Sequence, residues 1–246
     1  MIKTVGIVGH GHFGQFVELL VRRFLPEVEV RIFSKRAEID EERFFSLAKT
    51  ATTDVVILCG SIAGYEEQLK SLLSYIEKET VVVDVATVKT HTGDLFKKYL
   101  SDKRWLSCHP MFGAESYKKQ NEDVSGFRIV VTDKTIGEEE YEAVRNFMSG
   151  LSFVFIEMSA EEHDKLLADT LFMTHYIGQV MSTAGFGRTN MDTVSFQSLM
   201  NAVESVAQDG KLFMDVYNFN PYCEAAAVRF HDAQEVVLKG LLRKKV

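Results

Sequence analysis

The sequence predicts an α/β fold: a mostly parallel sheet covered by helices over residues 1–157, followed by a small all-helical domain over residues 158–246. Three observations carry this. Short β-branched runs alternate with amphipathic stretches through the first part, the pattern of strands joined by crossover helices. Uninterrupted runs such as Val81-Val82-Val83 suit strands buried on both faces. Past Ile156 only helical periodicity remains.

The predicted strands, in order, are Thr4–Val8, Glu29–Phe33, Val55–Leu58, Val81–Val85, Trp105–Cys108, Arg128–Thr132 and Phe153–Ile156. Each is a short run rich in Val, Ile, Phe or Trp, side chains that pack well on a pleated surface. Amphipathic spacing predicts helices over Phe13–Phe24, Glu41–Ala48, Tyr65–Ile76, Gly93–Tyr99 and Glu138–Met148. Ser159-Ala160-Glu161-Glu162 is a capping box, which satisfies free amides at a helix start. The helical remainder breaks near Gly185–Asp192, Asp209-Gly210 and Asn218–Pro221. About 90 helical residues hold little core of their own, so a homodimer through the helical domain is expected.

Composition narrows the function. With 46% hydrophobic and 26% charged residues the chain is an ordinary globular protein. A net charge of −7 argues against a nucleic-acid partner, whose binding surfaces are basic. Arg243-Lys244-Lys245 is read as a solvated tail. No apolar stretch approaches the roughly 18 residues that span a bilayer. Three cysteines without paired spacing make a poor disulfide framework, and the N-terminus runs straight into a strand, so a cytoplasmic location is expected.

The first strand runs into Gly9-His10-Gly11-His12-Phe13-Gly14, a GxGxxG loop placed between a strand and a helix as dinucleotide binding requires. Gly9 makes the turn, Gly11 admits a pyrophosphate and Gly14 lets helix and strand close. His10 and His12 are read as lining the loop, and His12 and Phe13 are among the candidate cofactor contacts. The sheet is therefore expected to be of the Rossmann type. After the second strand, where an acid would hold the ribose of NAD, stand Ser34, Lys35 and Arg36. A hydroxyl and two cations suit a 2′-phosphate, so NADP is favoured over NAD.

Ligands of open α/β sheets lie beyond the carboxyl ends of the strands. Gly60-Ser61 follows the third strand, Ala86-Thr87-Val88-Lys89 the fourth and His109-Pro110 the fifth. Gly60, Ser61 and Lys89 are candidate cofactor contacts. Histidine titrates near neutral pH and suits a proton acceptor, so His109 is the candidate base, with Ser61 beside it.

Here the sequence resembles a family, the TyrA-type prephenate and arogenate dehydrogenases of tyrosine biosynthesis. The stretches that carry the resemblance are "GIVGHGHFG", "VVILCGSI", "VVVDVATVK", "CHPMFGAES", "MSAEEHDKLLADTLFMTHYIG" and "FQSLMNAVESVAQDGKLFMDVYNFNP". They cover nearly the whole chain, and the last looks like the arogenate-type members. One departure is Tyr117, where relatives often carry glycine. The resemblance implies oxidative decarboxylation of arogenate or prephenate with NADP and no metal. His109 would polarise the ring hydroxyl, with Ser61 assisting.

A substrate with two carboxylates calls for cations or amides. His175, on the helix where the family's second histidine lies, and Arg188, in the Gly185–Asn190 break, are the substrate-binding candidates. His163-Asp164 is expected to serve its helix terminus or the domain interface rather than the chemistry. Two other readings stay open: another small-molecule NADP-dependent dehydrogenase of the imine-reductase or β-hydroxyacid type, and a non-catalytic NADP-binding sensor.

Overall fold

The computed structural model describes residues 2–207 and 209–243. The chain forms two compact units, residues 1–163 and 164–246. Lys244 and Lys245 of the expected tail lie outside the described residues.

The first unit is built on seven strands: β1 (Thr4–Val8), β2 (Glu29–Phe33), β3 (Val55–Leu58), β4 (Val81–Asp84), β5 (Arg104–Pro110), β6 (Arg128–Lys134) and β7 (Val154–Glu157). They lie in the order β2-β1-β3-β4-β5-β6-β7, parallel except for the β5–β6 pair. This is the mostly parallel, Rossmann-type sheet that the alternating pattern predicts. Val5, Ile7, Val30, Ile32, Val56, Leu58 and Val82 are buried, as strands covered on both faces require. A side chain at Gly6 would place its Cβ 2.2 Å from the Thr50 carbonyl, so the glycine lets the short helix α2 (Leu47–Ala51) rest on β1.

Helix α1 (His12–Phe24) buries Gly14, Phe16, Val17 and Glu18, and ends with Arg22 and Arg23 at its negative pole. The sequence predicts a second helix over Glu41–Ala48, and there the structure differs. Asp40 accepts the backbone amides of Glu42, Arg43 and Phe44 at 2.8–3.0 Å, and Glu41 takes φ 59°. Aspartate competes for those amides in turns and so forestalls a helix. Helix begins only at Leu47, capped by Ser46.

Further helices are α3 (Tyr65–Leu72), α4 (Lys89–Tyr99), α5 (Ala114–Lys119) and α6 (Glu138–Gly150). Helix α4 starts at Lys89, four residues before the predicted Gly93, and α5 is absent from the sequence expectation. Strand β5 also continues past Cys108 through His109 and Pro110. The β5–β6 register shifts between Ser107 and Cys108, a bulge of the kind that re-aims side chains near functional sites. Tyr117 on α5 is 2% exposed; its ring packs on Phe16 at 5.4 Å and its hydroxyl accepts from Arg23. The departure at this position thus ties α5 to α1.

Helix α7 (Ala160–Leu167) contains the unit boundary, six residues beyond the one expected at residue 157. In the second unit a π-turn (Ala168–Phe172) leads into α8 (Met173–Thr183), α9 (Val194–Val206), α10 (Gly210–Phe219) and α11 (Cys223–Arg243). Leu167, Phe172, Met200, Val203, Val206 and Val216 form its core. Gly178 lets α8 approach α9: a Cβ there would lie 2.8 Å from the Val206 side chain. Among the described residues, no helix is long and apolar enough to cross a membrane.

Candidate active site

In the first unit, Val8, Leu58, Asp84 and Ser107 stand in register across β1, β3, β4 and β5. Beyond this row, at the shared carboxyl edge, follow Gly9–Gly14, Cys59-Gly60-Ser61 and Cys108-His109. The edge therefore gathers the glycine loop, the serine and the histidine.

The loop fits a pyrophosphate. Gly9 takes φ +102°, and a Cβ there would press on the Cys59 carbonyl at 2.8 Å. A Cβ at Gly14 would lie 2.1 Å from the Gly9 carbonyl, so helix and strand close only over glycine. At Gly11 a Cβ would meet nothing within 4 Å, which leaves open space before the N-terminus of α1, where free amides and the helix dipole favour an anion. His12 is exposed at the first position of α1. Phe13, a candidate cofactor contact, is partly buried and packs against two core clusters. His10 faces the other way: its Nε2 lies 2.8 Å from Glu18, and its ring meets Phe44 edge-on at 5.2 Å. Glu18 also accepts from Arg22 and Arg43 at 2.8–3.0 Å. Burial alone would raise the Glu18 carboxyl, but the bonds from Arg43, His10 and Arg22 bring it down to about 2.

At the end of β2, the Ser34 hydroxyl accepts the Arg36 amide at 3.3 Å. Lys35 is paired with Glu67 at 2.9 Å. The exposed Arg36 guanidinium has no partner among the described residues. Gly60 packs under Gln68, whose side-chain oxygen would sit 2.5 Å from a Cβ. Ser61 is exposed just before a 3-10 turn (Ile62–Gly64), with its hydroxyl making no capping bond.

His109 is 5% exposed, and its Nδ1 lies 2.9 Å from Nε2 of His163, itself 3% exposed. The imidazole is held by His163, not by Ser61. Burial, with the neighbouring His163 and Lys89 adding to it, pushes His109 well below its ordinary pKa of 6.5 and keeps it neutral. A neutral imidazole can accept a proton.

Residues 29–157 match the family described as "Prephenate dehydrogenase, nucleotide-binding domain". The chain belongs to the prephenate dehydrogenase family. Its relatives include arogenate dehydrogenase 2, chloroplastic, of Arabidopsis thaliana, 31% identical over 96% of this chain and 69% of that protein. Arogenate dehydrogenase 1, chloroplastic, of the same plant is 30% identical over 94% of this chain, which spans 38% of that longer protein. The fold matches the crystal structure of the A. aeolicus prephenate dehydrogenase in complex with hydroxyphenyl propionate and NAD+, with a TM-score of 0.77 at 18% identity over 99% of this chain and 92% of that one.

As a member of the prephenate dehydrogenase family, the chain is an oxidoreductase of tyrosine biosynthesis with a nucleotide-binding domain. Lys89, an expected cofactor contact, lies inside the sheet edge. Lys89 is 0% exposed; its ammonium donates to Asp84 and to the Cys108 carbonyl, both at 2.6 Å. Asp84 also accepts from Tyr65, Thr92, Ser107 and the Ala86 amide. Lys89 therefore braces β4, β5 and α4.

In the second unit, His175 is 4% exposed, stacks on Phe213 at 6.3 Å and leaves its Nδ1 buried without a partner. Burial lowers its pKa. Such an orphaned atom fits a ligand contact. Arg188 is committed within its own unit, to Glu204 at 2.6 and 2.8 Å and to Asn201 at 2.7 Å. His163, expected to serve its helix terminus or the domain interface, is brought against His109 from 54 positions away.

Proposed function

We propose that this protein oxidatively decarboxylates arogenate, and prephenate less well, with NADP+ as hydride acceptor. The observation that carries the reading is the buried His109 at the strand edge that also bears the glycine loop and Ser61. The two plant relatives, both named arogenate dehydrogenases, support arogenate as the substrate.

When bound, the nicotinamide supplies the acceptor for the hydride of the ring carbon that carries the hydroxyl. The chain's own residues manage the proton and the charges. His109 Nε2 accepts the hydroxyl proton as that oxygen becomes a carbonyl. Carbon dioxide then leaves, its bonding electrons pass into the ring, and His109 returns the proton to the phenolate oxygen. Base assistance of this kind contributes roughly 10²–10⁴-fold in rate. Ser61 donates to the same oxygen. Gly9, Gly11, Gly14 and Gly60 shape the nucleotide groove, His12 adjoins the phosphates, and Ser34 and Arg36, with Lys35 nearby, hold the 2′-phosphate. His175 offers its open nitrogen to the substrate; Arg188 would have to leave Glu204 to bind a carboxylate.

A homodimer and a cytoplasmic location belong to the same proposal. Helix α11 exposes Val236, Val237, Leu238, Leu241 and Leu242 at 54–71%, an apolar face suited to a second copy. The three cysteines are free thiols, as in a reducing compartment. The test is spectrophotometric: purified protein with NADP+ and arogenate or prephenate, against the same mixtures with NAD+. Growth of NADPH absorbance, fastest with arogenate, is the expected result. Absence of turnover with either substrate and either cofactor overturns the reading.

A further inference from the structure

We infer that His163 is a positioning residue that selects the tautomer of His109, so that Nε2 of His109 stands unprotonated and ready to accept the substrate's proton. This rests on the proposed function and goes beyond it. An N–H···N bond between two imidazoles holds one proton, and the 2.9 Å separation of His109 Nδ1 and His163 Nε2 leaves two arrangements. If His163 donates, His109 carries its proton on Nε2 and cannot act as a base. If His109 donates through Nδ1, its Nε2 lone pair is free.

The pair is built to hold. His163 sits in the first turn of α7, where its amide bonds the Ser159 carbonyl at 3.0 Å. Ser159 and Glu162 bond reciprocally, which anchors that turn. The rings meet at 74° with centroids 5.1 Å apart, so the nitrogens face each other along an edge. Both rings are almost wholly buried, which denies water the chance to exchange partners. Burial also keeps His109 neutral, the state in which the tautomer matters. A carboxylate in place of His163 would orient the ring equally well, yet it would add negative charge beside a substrate carrying two carboxylates. An imidazole acceptor adds no negative charge there. Once His109 takes the proton, its cation still donates to His163 and loses no bond.

Two substitutions separate positioning from packing. In His163→Gln a side-chain carbonyl still accepts from His109 Nδ1; in His163→Leu the volume remains and the acceptor is gone. We expect kcat to fall on the order of 10–100-fold in His163→Leu, with cofactor affinity unchanged, and to stay within about 3-fold of wild type in His163→Gln. Nitrogen-15 chemical shifts of ligand-free wild-type protein should show the His109 proton on Nδ1. Wild-type turnover in His163→Leu, equal losses in both variants, or an Nε2 proton on His109 overturns the inference. The nitrogen shifts decide the pair even if neither arogenate nor prephenate is turned over, in which case it is the proposed function that fails.

Discussion

The ammonium of Lys89 donates to the carbonyl oxygen of Cys108 at 2.6 Å, one residue before the candidate base His109, and to the Asp84 carboxylate at the same distance. Both charged side chains are fully buried. Removing one partner of a buried ion pair leaves the other uncompensated, which costs roughly 3–5 kcal/mol. Lys89→Met should lower stability by about that amount, and adding Asp84→Asn should recover part of it. Urea denaturation of the three proteins measures this. An unchanged midpoint in Lys89→Met would show that the pair contributes nothing.

His109 gives stability a dependence on pH near neutrality. Its folded-state pKa lies well below the ordinary 6.5, so below pH 6.5 the unfolded chain binds a proton that the folded chain refuses. The contribution is complete above about 6.5 and is lost as the pH falls toward the folded value. His109→Asn should flatten this slope, while turnover drops roughly 10²–10⁴-fold and cofactor affinity is retained. Urea midpoints at several pH values, with initial rates alongside, check both effects. Undiminished turnover would remove His109 from the chemistry.

Glu18 acts in a more acid window. Its carboxyl is depressed from 4.5 to about 2, so it stabilises the fold above about 4.5 and loses that effect as the pH falls toward 2. Glu18→Gln should reduce stability at neutral pH and show a weaker acid dependence between those values. Because Glu18 also holds His10 of the glycine loop, a modest rise in cofactor KM is expected with it. Thermal melts across the acid range are the measurement.

Cofactor choice is expected to follow Arg36. A charge-assisted bond to phosphate contributes roughly 1.5–3 kcal/mol. Arg36→Asp should therefore weaken NADP binding by about 10-fold or more and leave NAD binding nearly unchanged. Lys35→Ala should do less, since Lys35 is paired with Glu67. Titration calorimetry with both nucleotides distinguishes these outcomes; equal losses would mean the 2′-phosphate is held elsewhere.

Tyr117 offers a test of packing. Its buried ring touches Phe16 and Arg23. Tyr117→Ala should cost about 3–5 kcal/mol, as large-to-small core changes do. Tyr117→Phe, which loses only the hydroxyl bond, should cost about 1 kcal/mol. Paired denaturation curves compare the two, and a small effect in Tyr117→Ala would mean that α5 is held by other contacts.

What the sequence revealed depended on how local its cause was. Strands β1, β2 and β3 match their predicted bounds because continuous apolar runs bounded by turns leave few other choices. The glycine loop was legible because each glycine answers a backbone contact within the same βα unit. Long-range partners were not. The partners of Lys89, a counter-ion from β4 and a carbonyl from β5, have no signature in the residues beside it. The helix expected over Glu41–Ala48 was lost to the single side chain of Asp40. His163 carried a recognisable capping box, and nothing near it in the chain pointed to His109.

The three thiols give each unit its own clock. Cys59 and Cys108 belong to the first unit and Cys223 to the second. Burial raises the Cys59 thiol and pushes Cys108 and Cys223 up to about 12, so almost none of the nucleophilic thiolate is present at neutral pH. Alkylation of the buried Cys108 and Cys223 then waits for the surrounding structure to open. Mass spectrometry of the labelled peptides could time the unfolding of the sheet and of the helical bundle separately, in one sample of unmodified protein.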